Sequence, residues 1–184
     1  MLHGRGSNAN DILLLASHLN VDDYALLVPD ATNHTWYPYS FLAEPSKNEP
    51  WLSSALALVG ITVEKAEEKG ITKENIYFLG FSQGACLALE YVARNAQKYG
   101  GVAAFTGGLI GDEIYTENYN GDFERTLVFI GTSNPDPHIP MERFEATVEI
   151  LNNMNADVSS KAYKNMGHTI NEDEINSVNN IIFK

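Results

Sequence analysis

Asn75-Ile76-Tyr77-Phe78-Leu79-Gly80-Phe81-Ser82-Gln83-Gly84-Ala85-Cys86-Leu87-Ala88-Leu89-Glu90-Tyr91-Val92 is the stretch that decides the fold. An apolar, aromatic run reaches a G-x-S-x-G, and the apolar spacing then switches to that of a helix: strand, sharp turn, helix. In such a turn the central residue is held in a strained backbone conformation. A side chain at either glycine would collide with the neighbouring strand or helix. Ser82 Oγ is then presented above the sheet edge. The Gln83 N–H opens a helix, where free donors and the dipole favour an oxyanion. The bare pattern arises by chance in roughly one chain in twenty of this length, given glycine near 7% of residues. On these five residues alone, a glycine-rich turn whose serine caps the helix remains an equal reading.

Working outward, strands and helices alternate. Downstream, Val102-Ala103-Ala104-Phe105 is a short apolar strand, and Thr126-Leu127-Val128-Phe129-Ile130 is a buried one that empties into a proline-rich loop, 131–140. Phe144, Thr147, Val148 and Leu151 mark a helix. Residues 158–163 alternate as a more exposed strand, and Asn171 with Glu174 forms a capping box for a last helix burying Ile175, Val178 and Ile182. Upstream, Ser7 or Asn8 caps a helix with Ile12, Leu15, Ala16 and Leu19 on one face. Tyr24-Ala25-Leu26-Leu27-Val28 reads as a buried strand. An aromatic loop with His34, Trp36, Tyr37, Tyr39 and Phe41 precedes a long helix that has Pro50 in its first turn and Gly70 at its close. The expected fold is α/β, one domain over 1–184, a mostly parallel sheet with helices on both faces.

Composition narrows the function. Twelve basic against twenty-four acidic residues give a net charge of −12, which repels phosphate backbones and anionic bilayers. Nucleic acid and stable membrane association are therefore not expected partners. The single cysteine, Cys86, can form no internal disulfide and reads as a core thiol. No basic-then-apolar leader opens the sequence and no apolar run approaches eighteen residues, so a cytoplasmic enzyme is expected.

In a parallel sheet, ligands sit beyond the carboxyl ends of the strands. Ser82, Asp136 and His168 each fall just past such an end. A serine hydroxyl needs a base to take its proton as it attacks; His168 can do so, and Asp136 would fix the imidazole tautomer. Asp112, Glu113 and Asp122 are rival acids. Among the histidines His138 is the competing base, two residues after the acid and better suited to lining the pocket, whereas His3, His18 and His34 lie in the opening turn, the first helix and the aromatic loop. Trp36 and Tyr37, with His138, are expected to wall the substrate pocket.

The combination of Leu2-His3-Gly4-Arg5-Gly6, Gly80-Phe81-Ser82-Gln83-Gly84-Ala85, Asp136-Pro137-His138-Ile139-Pro140 and Gly167-His168 resembles the phospholipase/carboxylesterase family of α/β-hydrolases, to which acyl-protein thioesterases also belong. The likeness extends to Thr35-Trp36-Tyr37-Pro38 and Thr106-Gly107-Gly108-Leu109. The resemblance implies Ser82 as nucleophile, Asp136 as acid, His168 as base, the backbone N–H groups of Arg5 and Gln83 as oxyanion hole, and no metal or organic cofactor. It implies hydrolysis of a small-molecule ester through an acyl-serine, with an acyl-protein thioesterase or lysophospholipase-type hydrolase as the alternative. A non-catalytic scaffold is the reading from another class, and a homodimer is one admissible assembly. Family members place strands before the His-Gly turn, the last of them beside the elbow strand. Only Met1 and Leu2 remain of it here, so the chain is expected to be N-terminally short, or to close the gap with the Tyr24 strand.

Overall fold

The computed structural model describes all 184 residues. Four parallel strands, β1 (Tyr77–Phe81), β2 (Gly101–Phe105), β3 (Leu127–Asn134) and β4 (Asp157–Lys164), lie in the order β1-β2-β3-β4. The register pairs Phe81 with Phe105, Phe105 with Gly131, and Asn134 with Lys164, so the carboxyl ends form one rim. Strand alternation divides the core in two. Val102, Ala104, Val128 and Ile130 face α2 (Trp51–Glu68), α3 (Gln83–Arg94) and α4 (Met141–Asn153). Ala103, Phe105 and Phe129 face α1 (Ala9–Leu13) and α5 (Glu172–Ile181).

The end signals read from sequence operate as capping chemistry requires. Asn8 accepts from Asn10 and Asp11 N–H groups at the head of α1, and the reciprocal Asn171–Glu174 box opens α5. Gly70 (φ +85°) ends α2, whereas Pro50, expected in its first turn, stands just before it as an N-cap without a side-chain bond.

One expected strand does not form. Residues 24–28 are irregular, and Leu26 and Leu27 are 36% and 43% exposed. A short apolar run becomes a buried strand only beside a strand that accepts its ladder, and none accepts this one. Instead Leu2 makes a single parallel bridge to Gly80. Its N–H donates to the Leu79 carbonyl (2.8 Å), and its carbonyl accepts from Phe81 N–H (3.2 Å). The Met1 nitrogen donates to the Leu27 carbonyl at 2.8 Å. Between residues 24–28 and the outer edge of β1 lies an apolar groove of about 450 Å³, bordered by Leu2, Leu26, Val63, Ala66 and Tyr77. No helix is long and apolar enough to cross a membrane.

Candidate active site

The site grows from the turn after β1. Ser82 sits at φ 54°, ψ −119°, in the left-handed half of backbone space that side chains resist. Its N–H donates to the Phe105 carbonyl (2.9 Å), which pins the turn to β2. Both flanking glycines are required by contact. A Cβ on Gly80 would overlap the Gly84 carbonyl oxygen and stand 2.7 Å from Ala85 N; on Gly84 it would overlap the Leu2 carbonyl oxygen and stand 2.6 Å from that of His3. The neighbour that excludes a side chain at Gly84 is thus the Leu2–His3 segment.

Three loops converge on Ser82 Oγ. His168 Nε2 is 2.8 Å away, and His168 Nδ1 lies 3.0 and 3.2 Å from the two carboxylate oxygens of Asp136. An Nδ1–H donating to Asp136 leaves the Nε2 lone pair to accept the Ser82 hydroxyl. The Asp136 side chain is wholly buried while that of His168 is 20% exposed, so the imidazole opens to solvent over a buried carboxylate. Burial alone would raise the Asp136 pKa. The His138 and Ile139 N–H groups (2.8 and 2.9 Å) and His168 outweigh it, and the carboxyl lies below its usual range.

Residue by residue, the structure brings Ser82, Asp136 and His168 into one hydrogen-bonded chain. His138 is exposed beside the base, its ring edge-on to that of His168 at 4.8 Å between centroids. The rivals lie elsewhere: Asp112 accepts from Tyr115, Asp122 caps a turn with Glu124 and Asn155, and His3 is buried with Nδ1 2.8 Å from the Gly4 carbonyl. Gly4 rests against Ser82, and a Cβ there would be 3.2 Å from Phe81 Cδ1 and 3.5 Å from Ser82 Cβ. Neither Arg5 nor Gln83 spends its backbone N–H on an intramolecular acceptor. Trp36 and Tyr37 are 3% and 1% exposed and pack within the core; Trp36 also borders a small cavity with Thr32, Trp51 and Leu58, none of them in the Ser82–His168–Asp136 chain. Trp36 Nε1–H donates to the His3 carbonyl at 2.8 Å and its ring packs on His3, so it supports the His-Gly turn from beneath. The 450 Å³ groove lies apart from this chain, since none of Ser82, Asp136 and His168 lines it.

Sequence reading missed Ser133. Its hydroxyl, fully buried, donates to the Pro135 carbonyl and accepts from Gly167 N–H, each at 2.9 Å, tying the acid loop to the base loop. Cys86 is the expected core thiol, its pKa pushed up to about 12 by burial. No group of three or more His, Cys, Asp or Glu is placed to hold a metal ion.

The sequence model of the phospholipase/carboxylesterase family matches residues 1–184, the whole chain. The chain belongs to that family. A crystal structure of a phospholipase/carboxylesterase from Dyadobacter fermentans superposes with a TM-score of 0.99 at 58% identity, over 100% of this chain and 88% of that one. A probable carboxylesterase of Arabidopsis thaliana is 30% identical over 70% of this chain and 49% of its own length. Acyl-protein thioesterase 1 of Saccharomyces cerevisiae is 32% identical over 67% and 55%. This member of the phospholipase/carboxylesterase family thus spans about half the length of the curated relatives it matches. Its sheet and flanking helices are of the α/β-hydrolase type.

Proposed function

We propose that this chain is a serine esterase that hydrolyses small-molecule esters of short or medium acyl chains through an acyl-serine intermediate. The observation that carries the reading is the unbroken chain Ser82 Oγ–His168–Asp136, at 2.8 and 3.0 Å, set on a strained turn. In the mechanism, Ser82 Oγ attacks the ester carbonyl carbon while His168 Nε2 takes its proton. The carbonyl oxygen, now negative, is received by the Arg5 and Gln83 N–H groups, and the imidazolium is steadied by Asp136. Collapse expels the alcohol, which takes the proton from Nε2. Water then repeats the sequence on the acyl-enzyme and returns free Ser82.

The test is intact mass after treatment with a fluorophosphonate, in which Ser82 Oγ bonds to phosphorus and fluoride leaves. One adduct on the parent and none on Ser82→Ala is expected. A folded parent that takes no adduct would instead favour a non-catalytic scaffold. The thioesterase relative motivates a second reading, in which the scissile bond is a thioester on an acylated protein. Oxygen and sulfur esters of one acyl chain, then an S-acylated peptide, separate the two by kcat/KM.

A further inference from the structure

We propose that Arg5 and Gln83, beyond lending backbone N–H groups, position the oxyanion hole through their side chains, which meet on one buried carbonyl, that of Tyr37. The proposal rests on the esterase reading above. Arg5 Nη2 donates to the Tyr37 oxygen at 2.9 Å, Gln83 Nε2 donates to it at 2.8 Å, and Thr35 Oγ1 adds a third donor at 2.9 Å. Both residues hold the same loop elsewhere too. Arg5 reaches the Pro38 and Tyr39 carbonyls (2.8 and 2.6 Å), and Gln83 Oε1 accepts from Trp36 N–H (3.0 Å).

The two partners are not equally secured by their backbones. Gln83 opens α3 directly after β1, and its position follows from the elbow. Arg5 belongs to no helix or strand, and its nearest backbone bonds are Gly6 N–H to the His34 carbonyl and Ser7 N–H to that of Gly4. A donor in such a turn wanders unless something else fixes it, and an oxyanion hole works only when both donors are set in advance. Tyr37, with 1% of its surface exposed, cannot shift, so its carbonyl relays the fixed position of Gln83 to Arg5. A guanidinium suits this task because its planar fork reaches several carbonyls at once, which an ammonium on a flexible stem does not reproduce.

The experiment compares Arg5→Ala, Arg5→Lys and Gln83→Met with the parent on matched oxygen esters and thionoesters, whose C=S sulfur fits an oxyanion hole poorly. Thermal unfolding confirms folding. The expected result for Arg5→Ala is a fall in kcat of about 10–100-fold, less than loss of a donor outright, with KM within about threefold. Its preference for the oxygen ester over the thionoester shrinks, and methylguanidinium restores part of the rate. Arg5→Lys, which keeps the charge, should lose nearly as much, and Gln83→Met should move the same two quantities in the same direction. An unchanged oxygen-to-thiono preference in Arg5→Ala, or full activity in Arg5→Lys, would overturn the proposal. A parent that takes no fluorophosphonate overturns the esterase reading first, a failure distinct from these.

Discussion

The two ends of β1 are built in opposite ways. At its carboxyl end, loops from five parts of the chain are bonded to one another: the His3–Arg5 turn, residues 35–39, the elbow, residues 133–139 and residues 165–168. Along its outer edge, one bridge from Leu2 is the whole ladder, and beyond it lies an apolar groove flanked by an irregular, half-exposed segment. The contrast is one of bonding: the rim is held by many polar links and the edge by few. Side-chain bonds to carbonyls hold the rim, while the edge relies on apolar contact.

The largest expected effect breaks the rim at its acid. Asp136→Asn keeps an oxygen for the His138 and Ile139 N–H groups, so the loop should stay folded. An amide no longer enforces the tautomer that frees Nε2, and kcat should fall on the order of 10³–10⁴-fold in a variant that still unfolds cooperatively. The pH sign is fixed by the lowered carboxyl pKa: the stability Asp136 contributes is present above the ordinary carboxylate value and is lost as pH falls through the lower folded value. A variant with more than a tenth of parental kcat would show that the acid is dispensable.

The next effect tests the one link between the two regions. Gly84→Ala places a methyl on the Leu2 and His3 carbonyls, where the elbow touches the edge. Since Leu2 is held by a single bridge, it should yield before α3 does, taking the His3–Arg5 turn with it. The expected cost is about 1–3 kcal/mol of stability, together with on the order of a hundredfold in kcat/KM. Parental activity with the same loss of stability would mean that the edge moves without the rim.

These regions also differ in how far they could be read from sequence. The elbow, both glycine contacts, the three loop ends and the Asn171 capping box are local patterns, and local patterns survive without knowledge of neighbours. The Tyr24–Val28 run was not legible in this way, because whether five apolar residues form a strand depends on what lies beside them. The burial of Trp36 and Tyr37 was not legible for a related reason: an aromatic in a loop does not announce whether it faces inward. Ser133 and the Tyr37 carbonyl left no signal at all, since hydrogen bonds to main-chain atoms put no constraint on the identity of the residue that owns the carbonyl.

The smallest effect sharpens the comparison, because the rim is not satisfied everywhere. Glu174 is fully buried at the head of α5. One carboxylate oxygen accepts from Asn171 N–H (2.9 Å), and the other, Oε1, has no partner. Oε1 presses on β3 so closely that a Cβ on Gly131 would overlap it. Burial, opposed by the Asn171 bond and aided by the charge of Asp173, raises this carboxyl from 4.5 to about 7. A folded state that binds the proton more tightly than the unfolded chain loses stability as pH rises. The contribution of Glu174 is therefore complete below about pH 4.5, declines between 4.5 and 7, and is absent above. Glu174→Gln can keep the capping bond while carrying no charge. Denaturant unfolding at a series of pH values should show the variant gaining on the parent across that interval, by about 1–2 kcal/mol at pH 8. That is less than the full 1.36 kcal/mol per unit, because the folded protein relaxes around a buried charge and recovers part of the cost. A difference between the two proteins that stays constant from pH 4.5 to 8 would mean that Glu174 is ionised in the folded rim throughout, and that its unpartnered oxygen is tolerated as a charge.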